Sequence, residues 1–197
     1  MSLEESINKP FFSIVIPTRD RAFLLEDLIE SVINQDLQDF EIIVADNSTD
    51  NLTQELLKKY EKLHLLKNVK TGNLTMADNW DQAINCARGE FLLLFSDKMI
   101  LKQGALKFLK EYINEEDPDC VTWNIDSYVD QSNVFFDKSK DEKDQYIKSN
   151  ELLKRILKSD MLSFDDSAFH CNSAISFNII NKIKSKSNRV CMQLNPD

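Results

Sequence analysis

The chain has 197 residues, 42% of them hydrophobic and 29% charged, a composition typical of one soluble globular domain with a sizeable core. Its 33 acidic residues outnumber the 24 basic ones, the net charge is −9, and no lysine or arginine stripe stands out, so nucleic acid is disfavoured as a partner. The only three glycines, Gly72, Gly89 and Gly104, are too scattered to form any glycine-rich phosphate loop.

Strand and helix patterns alternate along the first two thirds of the chain. Short apolar or β-branched runs that stop at polar residues or proline indicate buried strands, and apolar residues at three- and four-residue spacing behind capping residues indicate helices. The predicted elements are strand 12–17, helix 23–34, strand 41–46, helix 52–62, strand 64–69, helix 75–87, strand 90–95, helix 104–114 and strand 120–129.

The last third of the chain is less regular. Residues 132–150 are highly polar and charged, which predicts a loop or a crossover, and helices are predicted at 151–158 and 178–184.

The alternation of strands and helices predicts right-handed βαβ units and a mainly parallel sheet. Ligands of such sheets bind beyond the carboxyl ends of the strands. Three of the first four predicted strands end there in polar residues, at Pro17-Thr18, Asp46-Asn47 and Ser96-Asp97. This edge is therefore the candidate site.

Each polar residue near this edge has two readings. Asp46 either accepts a hydrogen bond from a ligand or belongs to a turn that caps the next helix. Arg19 and Arg21 either lie in a solvated loop or bind a diphosphate. Asp97 follows the most apolar strand, where a carboxylate is costly without a partner, so a catalytic or metal-binding role competes with a structural one. Asn79 could bind a loop or a ligand.

Short motifs follow one another between Phe12 and about Leu106, among them the strand Ser13 to Thr18 and the turn Asp46 to Asp50. Five such motifs in this order resemble the inverting family-2 glycosyltransferases, whose corresponding turn reads Asp-Asp-Gly-Ser-Thr-Asp, here without the glycine. The resemblance implies a GT-A fold, a three-layer α/β/α sandwich around a mainly parallel sheet. The other matching positions are Leu28, Ser31, Gln35, Gly72, Asn79, Ala83, Ala87, Gly89 and Glu90.

The resemblance also implies the donor, a nucleotide-diphosphate sugar of the UDP or GDP type. Asp46 would contact the base, Thr18 would line the nucleotide pocket, and Asp97 would lie near the ribose or diphosphate. The remaining residues expected at the donor are Pro17, Arg19, Arg21, Asn47, Asn79, Ser96 and Lys98.

A divalent cation, Mn²⁺ or Mg²⁺, is also implied, because the family usually places two or three carboxylates after the fourth strand to hold it. This chain has Ser96-Asp97-Lys98-Met99 there, so Asp97 is the one candidate metal ligand, whereas a hard cation requires several oxygens. Either Lys98 supplies part of the cation's positive charge, or it points to solvent and the protein is a weak or inactive relative.

The family's single displacement requires a carboxylate base. The candidates are Asp166, in an acidic pair that could equally cap a helix, and Asp197, which follows a proline as in some relatives. Family members usually continue well past this point. We therefore expect a nucleotide-sugar-binding domain at 1–130 and an incomplete, partly helical acceptor-side segment at 131–197.

The sequence thus predicts a glycosyltransferase that moves a sugar to a glycan, lipid or protein acceptor with inversion. A nucleotide-sugar-binding module without transfer activity is the alternative, and the missing glycine-rich loop disfavours a nucleotidyltransferase-like enzyme. Four scattered cysteines are typical of a cytoplasmic protein, here either free or at the inner face of a membrane. No apolar run approaches the roughly 20 residues of a transmembrane segment.

Overall fold

A computed structural model of the chain describes residues 9–63, 65–123, 127–129, 134–136, 148, 172–187 and 189–190. The described strands are β1 (Phe12–Thr18), β2 (Phe40–Asp46), β3 (Leu66–Lys70), β4 (Phe91–Leu94), β5 (Cys120–Thr122), β6 (Ser127–Val129), β7 (Val134–Phe136) and β8 (Ser173–Ser176). The described helices are α1 (Ala22–Ile33), α2 (Leu52–Leu57), α3 (Met76–Asn85), α4 (Ala105–Glu116) and α5 (Phe177–Ser187), and a 3₁₀ turn at Lys58–Tyr60 follows α2.

Six of these strands form one sheet in the order β3-β2-β1-β4-β8-β5. The first four are parallel, and their register aligns Thr18 with Asp46 at the carboxyl ends of β1 and β2. Strand β8 lies antiparallel between β4 and β5. The mainly parallel sheet predicted from the alternating pattern is confirmed.

Helices cover both faces of this sheet. Helices α1, α2 and α4 bury apolar side chains on one face, where Ile14 and Ile16 of β1 meet them. Helices α3 and α5 pack on the other face, against Val15 of β1 and neighbouring strand residues. Successive side chains of a strand alternate between the two cores, so β1 is fully buried. The predicted three-layer sandwich is confirmed.

Two sequence predictions about the second half are wrong. The strand predicted at 120–129 is two strands, because β5 pairs with the four-residue β8 and its ladder ends at Thr122. Residues 127–129 pair instead with β7 in a separate two-stranded sheet. Strand β7 also lies inside 132–150, for which the sequence predicts a loop or a crossover and no strand. The helix predicted at 151–158 lies outside the described residues.

A polar cluster closes the amino edge of the sheet, with Ser13, Glu41 and Gly89 buried and the Arg88 side chain exposed. Ser13 Oγ donates to Glu41 Oε1 at 2.6 Å and accepts from the Gly89 amide at 2.8 Å. The Arg88 guanidinium binds Glu41 Oε2 through Nε and Nη2, at 3.2 and 3.1 Å. A Cβ on Gly89 would lie 2.6 Å from Ser13 N, so only glycine fits here. These four residues, the amino-edge cluster, bind one another and hold the amino ends of β1 and β2 to the turn before β4.

Candidate functional site

The carboxyl edge of the sheet gathers polar side chains from neighbouring strands, as the sequence predicts. Thr18, Asp46, Asn47 and Asp97 are all buried there. Thr18 Oγ1 donates to Asp97 Oδ2 at 2.9 Å, and the Asn47 amide donates to the Thr18 carbonyl at 3.0 Å. Residues 79 positions apart in the chain are thereby in direct contact.

Asp97 is a buried carboxylate with one oxygen paired and one oxygen bare. Its side chain is 1% exposed, and Arg21 Nε lies 3.1 Å from Oδ2. Burial of a carboxylate costs free energy unless an opposite charge offsets it, and the Arg21 guanidinium supplies that charge to Asp97. Asp97 Oδ1 has no hydrogen-bond partner among the described residues.

Asp46 divides its two oxygens in the same way. Oδ1 accepts from the Ser48 amide at 3.0 Å and so shapes the turn after β2. Oδ2 is buried and has no partner within the described part of the chain. The two readings of this residue are therefore compatible, since one oxygen holds the turn and the other is available to a ligand.

The asparagines of the site hold its framework. Asn47 donates to the Leu74 carbonyl and accepts from the Leu74 amide, both at 2.9 Å, which fixes the loop before α3. Asn79 donates to the Ala45 carbonyl at 3.2 Å and accepts from Thr71 Oγ1 at 2.6 Å. Both amides position the edge of the sheet, and donor contacts from them stay predictions.

The loop after β1 is tied to the loop after β2. Asp20 has a left-handed backbone, with φ of 56°, and its Oδ1 accepts from the Thr49 amide at 2.7 Å and from the Thr49 hydroxyl at 3.0 Å. The backbone N–H of Thr49 holds the pKa of the Asp20 carboxyl below its usual range. The Asp20 amide also donates to Ser48 Oγ at 3.0 Å. Asp20, the residue before Arg21, is thus held to the loop after β2 through both its backbone amide and its carboxylate.

The other predicted donor residues take different positions. Pro17 is buried in β1 opposite Ala45. Arg19 is half exposed, with Nε 3.8 Å from Asp20 Oδ2. Ser96 is half-buried and Lys98 is exposed, and the Lys98 amide lies 3.5 Å from Ser96 Oγ.

Strand β8 and the residue before it add two polar residues for which the sequence predicts no role in the site. Because β8 runs antiparallel to β4, its first residue lies at the carboxyl edge. Asn172 Nδ2 donates to the Trp123 carbonyl at 2.6 Å, whereas Asn172 Oδ1 and Ser173 Oγ are buried without partners among the described residues. All four bare, buried side-chain atoms found in the described residues therefore lie at this edge. No local pattern reveals this, since the insertion of β8 between β4 and β5 decides it.

The two candidate bases, Asp166 and Asp197, lie outside the described residues, so their role stays a prediction. The described residues contain no group of three histidine, cysteine, aspartate or glutamate side chains that could hold a metal ion. Asp97 therefore belongs to no group of three such side chains in that part of the chain.

The comparison with protein families adds to this geometry. The family model described as Glycosyl transferase family 2 matches residues 13–183, most of the chain and all of the carboxyl edge described above. The chain belongs to this family. The resemblance drawn from the opening strand, the turn after β2 and the following motifs is thereby confirmed.

Curated and solved relatives agree with this family membership. A GalNAc(5)-diNAcBac-PP-undecaprenol beta-1,3-glucosyltransferase of Campylobacter jejuni is 34% identical over 112 residues, which cover 54% of this chain and 35% of that protein. TarS 1-349 of Staphylococcus aureus, solved in complex with UDP-GlcNAc, is similar with a TM-score of 0.63 and 22% identity, over 88% of this chain and 47% of that one. A mannosyltransferase of Pyrobaculum calidifontis, solved with GDP-Man and Mn²⁺, gives a TM-score of 0.51 and 22% identity over 59% of this chain and 36% of that one. This chain thus spans about a third to a half of the length of these relatives.

Within the described residues, no helix has the length and apolar character needed to cross a bilayer.

Proposed function

We propose that this chain binds a nucleotide-diphosphate sugar at the carboxyl edge of the sheet and transfers the sugar, with inversion, to a hydroxyl of a glycan, lipid or protein. The supporting observation is the pair of bare, buried oxygens Asp46 Oδ2 and Asp97 Oδ1. They lie at the ends of β2 and beyond β4, the two strands that flank β1. Leaving such oxygens unpaired costs about 1–3 kcal/mol each, which a ligand's donors would recover.

The bare oxygens match the hydrogen-bond donors of a nucleotide. Asp46 Oδ2 accepts from the base, and Asp97 Oδ1 accepts from a ribose hydroxyl. Thr18 lies between these carboxylates on β1 and lines the pocket. Arg21 contacts the diphosphate, because a guanidinium matches phosphate oxygens in shape and charge. Asn172 and Ser173 face hydroxyls of the transferred sugar, since they continue the same edge beyond β4.

Transfer itself requires a base for the acceptor hydroxyl and positive charge for the leaving diphosphate. Asp97 is a poor base because Thr18 and Arg21 already bind one of its oxygens. Asp166 and Asp197 remain the proposed bases. The relative from Campylobacter jejuni is named for an undecaprenol-linked acceptor, which supports a lipid-linked acceptor and a position at the inner face of a membrane.

A thermal-shift screen against UDP, GDP, CDP and dTDP tests donor binding, because a ligand of the native state raises its melting temperature. One nucleotide should stabilise the wild type clearly more than the others. Asp46→Asn should lose this shift, and Asp50→Asn, on the same loop, should keep it. If no nucleotide shifts the melting temperature, the proposal is wrong.

Transfer is tested by incubation with sugars of the selected nucleotide and an acceptor panel, with free nucleoside diphosphate as the readout. Inversion is read from the anomeric coupling constant of the product by NMR. Saturable donor binding without turnover would favour the second candidate, a binding module. The single carboxylate in the turn 96–99 after β4 is the observation behind that candidate.

A further inference from the structure

We propose that Arg21, and not a divalent cation, supplies the positive charge that holds the donor diphosphate beside Asp97. This inference rests on the proposed function, because it assigns the partner of the diphosphate in the same site. It predicts a donor site that works without metal.

The residues around Asp97 do not fit a hard divalent cation. Such a cation takes six or more oxygen ligands, several of them usually from the protein or the substrate. Asp97 is the only carboxylate in the turn 96–99 after β4, and the residues described nowhere bring three candidate ligands together. Asp97 Oδ2 is already bound by the Thr18 hydroxyl and by Arg21 Nε. A cation would find only the unpaired Oδ1 of this one carboxylate, with the positive charge of Arg21 beside it.

Arg21 fits the position better. Its guanidinium carries five N–H donors in a plane, and Nε lies 3.1 Å from Asp97 Oδ2. The side chain is 40% exposed, so the group reaches from the buried carboxylate to solvent. Its own carbonyl accepts from the Leu24 and Leu25 amides at 3.1 and 3.2 Å, which fixes its main chain at the start of α1. A fixed guanidinium between a carboxylate and solvent can bind phosphate oxygens with its remaining N–H groups.

Position separates Arg21 from the two other cations of this region. Lys98, which follows Asp97 directly, has an exposed side chain. Arg19 lies 3.8 Å from Asp20, an exposed carboxylate, and not at Asp97. Asp97 Oδ1 has no partner among the described residues although its side chain is only 1% exposed, so it is the atom we expect a ligand to contact. Of the three cationic side chains, Arg21 is the one paired with this carboxylate.

The test is isothermal titration calorimetry of the wild type with UDP, or with GDP if the thermal-shift screen selects it, in excess EDTA and in excess Mn²⁺. The two dissociation constants should agree within about threefold. Arg21→Ala in EDTA should bind at least about tenfold more weakly, and Mn²⁺ should not restore its affinity. Arg88→Ala is the matched control, since it also takes a guanidinium from a buried carboxylate, Glu41, but at the opposite edge. Its affinity for nucleotide should equal that of the wild type.

The outcomes separate this inference from the proposed function. Binding that requires Mn²⁺ would overturn the metal-free site and leave the donor site standing. No binding in either condition would overturn the proposed function, and the inference with it. If Arg21→Ala does not fold, Arg21→Lys replaces it, and paramagnetic resonance of Mn²⁺ with wild-type protein and nucleotide gives a readout that needs no variant. Manganese held more tightly by protein and nucleotide together than by nucleotide alone would contradict the inference.

Discussion

The substitution Asp46→Asn separates the contribution of Asp46 to nucleotide binding from its contribution to the turn after β2. Asp46 Oδ1 accepts from the Ser48 amide, whereas Oδ2 is buried and bare among the described residues. Asparagine keeps the size of the side chain and one acceptor oxygen for Ser48, and it replaces the other oxygen with an N–H donor. We therefore expect the turn after β2 to keep its shape while the nucleotide base loses its acceptor.

The structure sets the size of both effects. A hydrogen bond to a charged group contributes about 1.5–3 kcal/mol, so the affinity for UDP should fall about 10- to 150-fold. The free energy of unfolding of the ligand-free protein should change by less than about 1 kcal/mol, because a bare charged oxygen is exchanged for a bare neutral N–H group. Binding should fall without a matching loss of stability.

Calorimetry with UDP, or with the nucleotide selected by the screen, and urea unfolding measure the two quantities on the same samples. Asp50→Asn is the control, because Asp50 is exposed on the same loop and its Oδ1 accepts from the nearby Leu52 amide, at 3.0 Å. Wild-type affinity in Asp46→Asn, within about threefold, would show that Oδ2 faces no ligand. A stability loss above about 2 kcal/mol would show that the side chain mainly holds the turn.

Three further predictions concern the framework. Gly89→Ala should lower the free energy of unfolding by about 2–4 kcal/mol in urea titrations, because the added Cβ would displace Ser13. The control Gly104→Ala places its Cβ in open space at φ of 78° and should lower that free energy by only about 1–2 kcal/mol. Equal losses in the two variants would contradict the packing argument. The Thr75 hydroxyl and then Arg189 lower the pKa of Asp78, so its contribution to stability is present above the unfolded pKa of about 3.9 and is lost as pH falls through the folded value. The melting-temperature difference between wild type and Asp78→Asn should therefore shrink below about pH 4, and a constant difference would refute this. Burial raises the pKa of Cys120 to about 11, so iodoacetamide at pH 8 should label it by mass spectrometry only after unfolding, and rapid labelling of the native protein would count against this burial.

Local pattern was enough to predict the first half of the sheet. Strands β1 and β2 are β-branched runs that end at polar residues, and both lie within one residue of their predicted bounds. Thr75 caps α3 by accepting from the Asp78 amide, as its spacing indicates. The rule that parallel strands present their carboxyl ends to ligands then places Thr18, Asp46 and Asp97 at one edge.

Tertiary contacts decided the rest. Arg19 and Arg21 look alike in the sequence, and only the fold shows that Arg21 reaches Asp97. Strand β8 has four residues, two of them serines, so no apolar run marks it as a strand. Its antiparallel place between β4 and β5 depends on pairing across about 80 residues of chain. The polar atoms that β8 adds to the site could not be found before that pairing was known.

The place of β8 also governs the order in which this sheet can be completed. Strand β5 pairs, within the described residues, with β8 alone, and β8 is the partner that covers the free side of β4. Until residues 173–176 are made, β4 is an open edge with four apolar residues and unpaired backbone groups, a template for pairing with other chains. Long-range pairing of this kind forms slowly. A shortened chain that stops at residue 130 would keep Thr18, Asp46 and Asp97 yet expose this edge, so such a fragment should aggregate even though it retains the proposed nucleotide contacts.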